Sequence, residues 1–234
     1  MNRTLALLAI LFVAMISPAP AATVTRITVS GQGTVAVVPD LATVRASIVT
    51  NANVAEQAVS QNNTIYARLV DAVVAAGVAR DDVTLAYYNI NYVQPPRPAP
   101  GEVAPAGPFG YIVSRSFDVK VRNVGKAGAI VDGLTKAGVT NIESVSFGLA
   151  DPTHARSTAT GKAMADARAK ADEIARSAGL HIVGIEQISN GGLALPPAPM
   201  MRTMAMGTAS APTVFDSGNV NVTADLSVIF LAQP

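Results

Sequence analysis

The sequence predicts an α+β fold in which a mainly antiparallel, twisted sheet carries about three helices on one face, and three observations lead to it. Two segments alternate between apolar and polar residues. Tyr111, Val113, Phe117, Val119 and Val121 oppose Ser114, Ser116, Asp118, Lys120 and Arg122, while Val220, Val222, Ala224, Leu226, Val228 and Phe230 oppose Asn219, Asn221, Thr223, Asp225 and Ser227. Period-two alternation means a sheet with one wet face, which favours antiparallel strands and leaves the other face for helices. Three alanine- and valine-rich stretches show helical spacing, and each is closed by a glycine followed by an apolar residue. The 234 residues include no cysteine, so neither disulfides nor a lipid-modified cysteine can help, and a packed core must hold the fold.

Taken in order, the chain opens with Asn2 and Arg3, an apolar run over residues 5–16, and Pro18, Ala19, Pro20, Ala21 and Ala22. This is the tripartite form of a secretory signal peptide, with cleavage expected between Ala21 and Ala22. A membrane anchor needs about 20 apolar residues, and the prolines end this run earlier. Residues 1–21 are therefore expected to be removed, giving a periplasmic protein that is not a lipoprotein. No later apolar stretch escapes interruption by charge, Gly or Pro, so no stable membrane insertion is expected.

Residues 25–30, 34–38 and 41–50 read as a meander of three strands, turned at Gly31-Gln32-Gly33 and at Pro39-Asp40. The first helix covers residues 54–76, with Val54, Ala58, Ile65, Leu69, Ala72, Val73 and Ala76 on one face, and stops at Gly77-Val78. A strand follows over 83–93. Six prolines between Pro95 and Pro108 then exclude a ladder and place residues 94–109 in a protruding loop. After the alternating strand from Tyr111, a second helix over 124–137 stops at Gly138-Val139, and a strand covers 142–150. Val70-Asp71 and Val131-Asp132 each lie seven residues before their Gly-Val stop, which suggests two related strand-helix-strand units.

The third helix, over 153–178, places Ala163, Ala167, Ala171, Ile174 and Ala178 on one face and stops at Gly179-Leu180. Lys162, Asp166, Lys170, Asp172 and Arg176 mark its other face as solvated, supported by opposite charges four apart. Residues 191–217 form a second protruding insertion, with Pro196, Pro197, Pro199 and Pro212 beside Met200, Met201, Met204 and Met206. The last alternating strand closes the fold.

The charge balance excludes polyanionic partners. Without residues 1–21 the chain keeps 16 basic and 16 acidic residues, which leaves no electrostatic drive toward nucleic acid or an anionic membrane. Motifs for cofactors fail as well. Gly31-Gln32-Gly33 lacks the third glycine and the following helix of a dinucleotide loop, and reads as a turn or bulge; Gly161-Lys162 lacks phosphate-loop spacing. No cofactor is expected. His154 and His181 stand alone, Asp151-Pro152-Thr153 reads as a helix entry, and Asp81-Asp82, which could join other oxygens around a cation, reads rather as a solvated turn. The alternative is a metal- or small-molecule-dependent enzyme built on Asp40, Asp151 and His154. Met200, Met201, Met204 and Met206 are thioether donors of the kind that suits Cu(I) or consumes oxidants, but they more readily read as an inert loop or as an apolar contact surface.

Gly31-x-Gly33, Pro39-Asp40 and Ala42 before a long helix resemble the opening of SIMPL-domain proteins. The likeness continues through Gly110-Tyr111 with Ser114, through Asp132 and Gly138, over Ala163, Asp166, Ala167, Lys170, Ala171, Ala175 and Gly179, and into the alternating strand at 218–231. It makes residues 22–234 one SIMPL domain. The resemblance implies an exported bacterial protein of the immunogenic or oxidative-stress defence type, without catalytic residues. It would support envelope or oxidative-stress tolerance through homo-oligomer formation or an envelope protein partner.

Overall fold

The computed structural model describes residues 24–96, 107–191 and 212–234. The α+β class and the antiparallel pairing are as expected, but the strands form two sheets, one covered by two helices and the other by one. The elements run β1 (Thr25–Val37), β2 (Leu41–Ala52), α1 (Ala55–Ala75), β3 (Val83–Val93), β4 (Gly110–Val121), α2 (Ala127–Ala137), β5 (Asn141–Gly148), α3 (Thr153–Ser177), β6 (His181–Asn190) and β7 (Val220–Gln233). Short 3-10 turns at Arg80–Asp82 and Val124–Lys126 precede β3 and α2.

The four-stranded sheet has the order β3-β4-β2-β5. Both β2 and β3 run antiparallel to β4, so they are parallel to each other, and β4 and β5 are related in the same way through β2. The two strand-helix-strand units expected from the repeat, β2-α1-β3 and β4-α2-β5, are thus interleaved strand by strand in the ferredoxin-like manner. Their helices cover Ala42, Val44, Ala46 and Ile48 of β2 and Phe117 and Val119 of β4, with Leu69, Val73, Ile130 and Leu134 supplied from above.

Asn62, on the buried face of α1, is a polar residue inside this layer. Its Nδ2 donates to Ile48 O, Thr50 Oγ1 and Val113 O, each at 3.4 Å, and Thr50 Oγ1 donates to Ala58 O at 2.8 Å. These bonds tie α1 to β2 and β4 through the amide nitrogen, while Asn62 Oδ1 is buried without a partner among the described residues.

The three-stranded sheet has the order β1-β7-β6 and is covered by α3. Here the expected meander is overturned. β1 passes straight through Gly31-Gln32-Gly33 and pairs with β7 along its whole length, Thr25 opposite Ala232 to Val37 opposite Val220. The two glycines are a platform for α3. A Cβ at Gly31 would overlap the Ala163 carbonyl oxygen and stand 2.7 Å from Ala167 Cβ, and one at Gly33 would overlap the Ala159 carbonyl. Alanines at 155, 159, 163, 167, 171 and 175 give α3 a flat buried stripe, so helix and strand backbones approach closely.

The chain turns from one sheet to the other at Pro39-Asp40, where Asp40 N–H donates to Gly148 O at 3.2 Å and Asp40 Oδ1 accepts from Ala150 N–H at 2.7 Å.

All three helices end as the glycines predict. Gly77, Gly138 and Gly179 have φ of 95°, 99° and 71°. The next residue's N–H donates back to the helix in each case, Val78 to Val73 O, Val139 to Leu134 O and Leu180 to Ala175 O. Pro95, Pro96 and Pro108 lie outside the ladder between β3 and β4, as expected. Residues 1–21, the Ala21/Ala22 cleavage site, Pro98, Pro100, Pro105, Pro196, Pro197, Pro199 and Met200, Met201, Met204 and Met206 lie outside the described residues. Among the described residues no helix is long and apolar enough to cross a membrane.

Candidate functional site

Two of the residues singled out for chemistry, Asp40 and Asp151, bond backbone N–H groups. Asp40 reaches the N–H of Ala150, the residue before Asp151, across 110 positions of the chain. Asp151 Oδ1 in turn accepts from Thr153 N–H at 2.9 Å and caps the entry of α3, as the helix-entry reading has it. The bonds from Thr153 hold the Asp151 carboxyl below the usual carboxylate range. His154 is exposed in the first turn of α3, and His181 is exposed at the start of β6. Among the described residues no three His, Asp or Glu side chains converge on a metal-sized site.

The solvated-turn reading of Asp81-Asp82 needs correction. Asp82 is buried and accepts two bonds from Arg122, at 2.9 and 3.1 Å. These bonds raise the pKa of the Arg122 guanidinium further above its ordinary value. The pair lines a cavity of about 220 Å³ together with Lys120, Asn123 and Lys126 at the C-terminus of α1.

The charged face of α3 is also not simply solvated. β1 is an edge strand, and its outward backbone groups at alternate residues are taken up by the helix. Lys170 Nζ donates to Ser30 O at 3.1 Å, Gln32 N–H donates to Asp166 Oδ2 at 2.9 Å, and Lys162 Nζ donates to Thr34 O at 3.1 Å.

The four sheet edges among the described residues are treated unequally. Beside the covered β1, β6 is broken by register shifts after Ile182 and Ile185 and carries Glu186, which is paired with Arg26 at 2.7 Å. β5 has only eight residues and a register shift that sets the charged Glu143 out of the ladder. Cover, bulges, charge and shortness are the usual protections of an edge against pairing.

β3 has almost none of them. It is eleven residues long and carries no charge, and its single register shift at Ala86 leaves residues 87–93 regular against β4. Leu85, Tyr87, Tyr88, Ile90 and Tyr92 are 37–59% exposed, and no residue of the strand is fully buried.

Two of these tyrosines are held in place by their neighbours. Arg115 of β4 lies 4.4 Å from the ring centroid of Tyr66 and 5.0 Å from that of Tyr88, and its Nη2 donates to Asn63 Oδ1 at 2.7 Å. Tyr92 packs on Tyr111 at 5.0 Å. The result is a preformed apolar and aromatic ledge with free main-chain groups, the form of surface that binds another strand. Sequence reasoning located this strand but passed over its side chains; the signal was the absence of any charge over residues 83–93.

Residues 27–230 match the SIMPL family, described as a protein of unknown function (DUF541). The chain is 29% identical over 213 residues to the 26 kDa periplasmic immunogenic protein of Brucella melitensis, covering 88% of this chain and 84% of that protein. It is 28% identical to the protein of the same name from Brucella abortus, with the same coverage. With the uncharacterized protein YggE of Escherichia coli K12 it shares 26% identity over 214 residues, covering 89% of this chain and 84% of that one. The match takes in β1 with its glycine platform, both interleaved units, α3 and nearly all of β7, and the chain belongs to the SIMPL family.

Proposed function

We propose that this SIMPL protein is exported to the periplasm and works there without catalysis, by self-association that supports the tolerance of the envelope to stress, oxidative stress included. The observation that carries the self-association is the β3 edge, an uncharged strand with five exposed apolar side chains where the other edges are covered, bulged or charged. The periplasmic location is supported by the printed names of the Brucella relatives and by the signal-like residues 1–21. The non-catalytic reading is supported by Asp40 and Asp151, whose carboxylates bond backbone N–H groups.

Size-exclusion chromatography with light scattering on the purified protein tests the first point, a mass of two or more copies being expected and a monomer refuting it. Intact mass of protein recovered from the periplasm tests the second, with the chain expected to begin within one residue of Ala22. Peroxide survival of a deletion strain, with and without the protein restored, tests the stress role.

A further inference from the structure

We infer that two copies of this chain pair through β3, antiparallel and about a two-fold axis at Ile90. The inference rests on the self-association reading above and gives it a surface and a symmetry.

Residues 88–92 are Tyr-Asn-Ile-Asn-Tyr, the same in both directions. An antiparallel pairing centred on Ile90 therefore sets like against like: Tyr88 against Tyr92 of the second copy, Asn89 against Asn91, and Ile90 against Ile90. Successive residues of a strand point to opposite faces. The aromatic and isoleucine pairs thus share the helix-covered face with Val113 and Tyr111, their neighbours on β4, and the asparagine pairs share the other. Such cross-strand pairs of aromatic and β-branched residues are the stabilising unit of a sheet. An isologous interface requires a self-complementary surface, which a palindromic strand provides and which an unrelated partner peptide would not need.

The other terms agree. No charge on the strand meets its own copy, and the pairing residues 87–93 lie beyond the irregularity at Ala86. Half-exposed tyrosines offer roughly 100 Å² each. With Ile90 and the strand backbone they supply a substantial part of the about 800 Å² per partner of a standard interface. Tyr88 and Tyr92 are already fixed by Arg115 and Tyr111, so little side-chain freedom is lost on pairing. The two four-stranded sheets would become one of eight strands.

Because the chain has no cysteine, Ile90→Cys places a single thiol at the proposed axis, where a disulfide with its own copy fits. Under mild oxidation this variant is expected to give a covalent dimer, while Val74→Cys, on the exposed side of α1, stays uncrosslinked. In light scattering, Ile90→Lys, which sets two ammonium groups face to face, is expected to lower the parent's mass at least twofold. Ile90 is 43% exposed, so the circular dichroism melt of that variant should match the parent's, and if it does not, the cysteine cross-link decides alone. A monomeric parent overturns self-association and this pairing together. A parent that assembles while a folded Ile90→Lys variant keeps its full mass, or while Ile90→Cys cross-links no faster than Val74→Cys, overturns the β3 pairing and leaves self-association standing.

Discussion

Gln32 N–H donates to Asp166 Oδ2 at 2.9 Å, joining the free edge of β1 to the middle of α3. Lys170 Nζ donates to the same oxygen at 2.6 Å and to Ser30 O at 3.1 Å, so one i,i+4 pair serves both as an ion pair and as a substitute for a neighbouring strand. Removing the carboxylate with Asp166→Ala should expose the Gln32 amide. Its hydrogen exchange should quicken, while amides in the β1–β7 ladder change little.

The same pair has a pH signature. The bonds from Lys170 and Gln32 hold the Asp166 carboxyl below its ordinary value, so its contribution to stability is fully present above about pH 4 and is lost as pH falls through the lower folded-state value. The melting-temperature difference between the parent and Asp166→Asn should therefore narrow between about pH 5 and pH 2. A constant difference across that range would show that the charge plays no part.

The glycine platform makes a contrast inside one helix-strand contact. Gly31→Ala drives a methyl group into the α3 backbone and should cost about 1–3 kcal/mol or more, as overpacking does. Gly161, on the exposed face of α3, has nothing near its missing Cβ, and Gly161→Ala should stabilise by about 1 kcal/mol. Urea denaturation of the two variants should move the midpoint in opposite directions.

Asp132 of α2 holds the segment that leads into β7. Its Oδ1 accepts from Thr213 Oγ1 at 2.6 Å and its Oδ2 from Thr213 N–H at 3.2 Å, and the Thr213 carbonyl lies where a Cβ on Gly128 would be. Asp132→Ala should cost about 1.5–3 kcal/mol, the usual value of hydrogen bonds to a charged group. Faster exchange of the Thr213 amide should accompany the loss; a lowered melting temperature without it would place the effect elsewhere.

β7 lies between β1 and β6 and buries Val222, Ala224, Val228, Phe230 and Ala232 against α3. Each large side chain among them contributes about 1.5–3 kcal/mol, so their joint loss exceeds the net stability of an ordinary domain. A chain ending at Gly218 should show no cooperative thermal transition by circular dichroism.

By itself the sequence determined most of the elements and the inward faces of α2, β4 and β7, but on α3 it turned Ile174 and Ala178 inward, and both are exposed. Helical spacing and the Gly-apolar stops placed α1, α2 and α3 to within a residue or two at most ends. α2 begins three residues late, because Val124–Lys126 forms a 3-10 turn. Alternation named the buried side of β4 and β7, and proline density marked the end of β3. These are local effects: periodicity, backbone φ and a missing N–H act over a few residues, and the chain displays them directly.

Only the tertiary structure decided which strands lie side by side. Alternation tells which face is wet but not what lies beside the edge, so β1 could be read as turning back at Gly31-Gln32-Gly33 when it runs on to pair with β7, almost 200 residues away. The glycines read as a turn because glycine permits turns, yet what selected them was the missing Cβ beneath α3. The charges of α3 read as solvated because i,i+4 pairs usually are, and nothing local to Asn62 shows that it is buried. The ledge on β3 became visible once the other edges were seen covered, bulged or charged. In each case the deciding partner is distant in sequence, and close approach, edge protection and the burial of an amide are properties of the pair of elements rather than of either one.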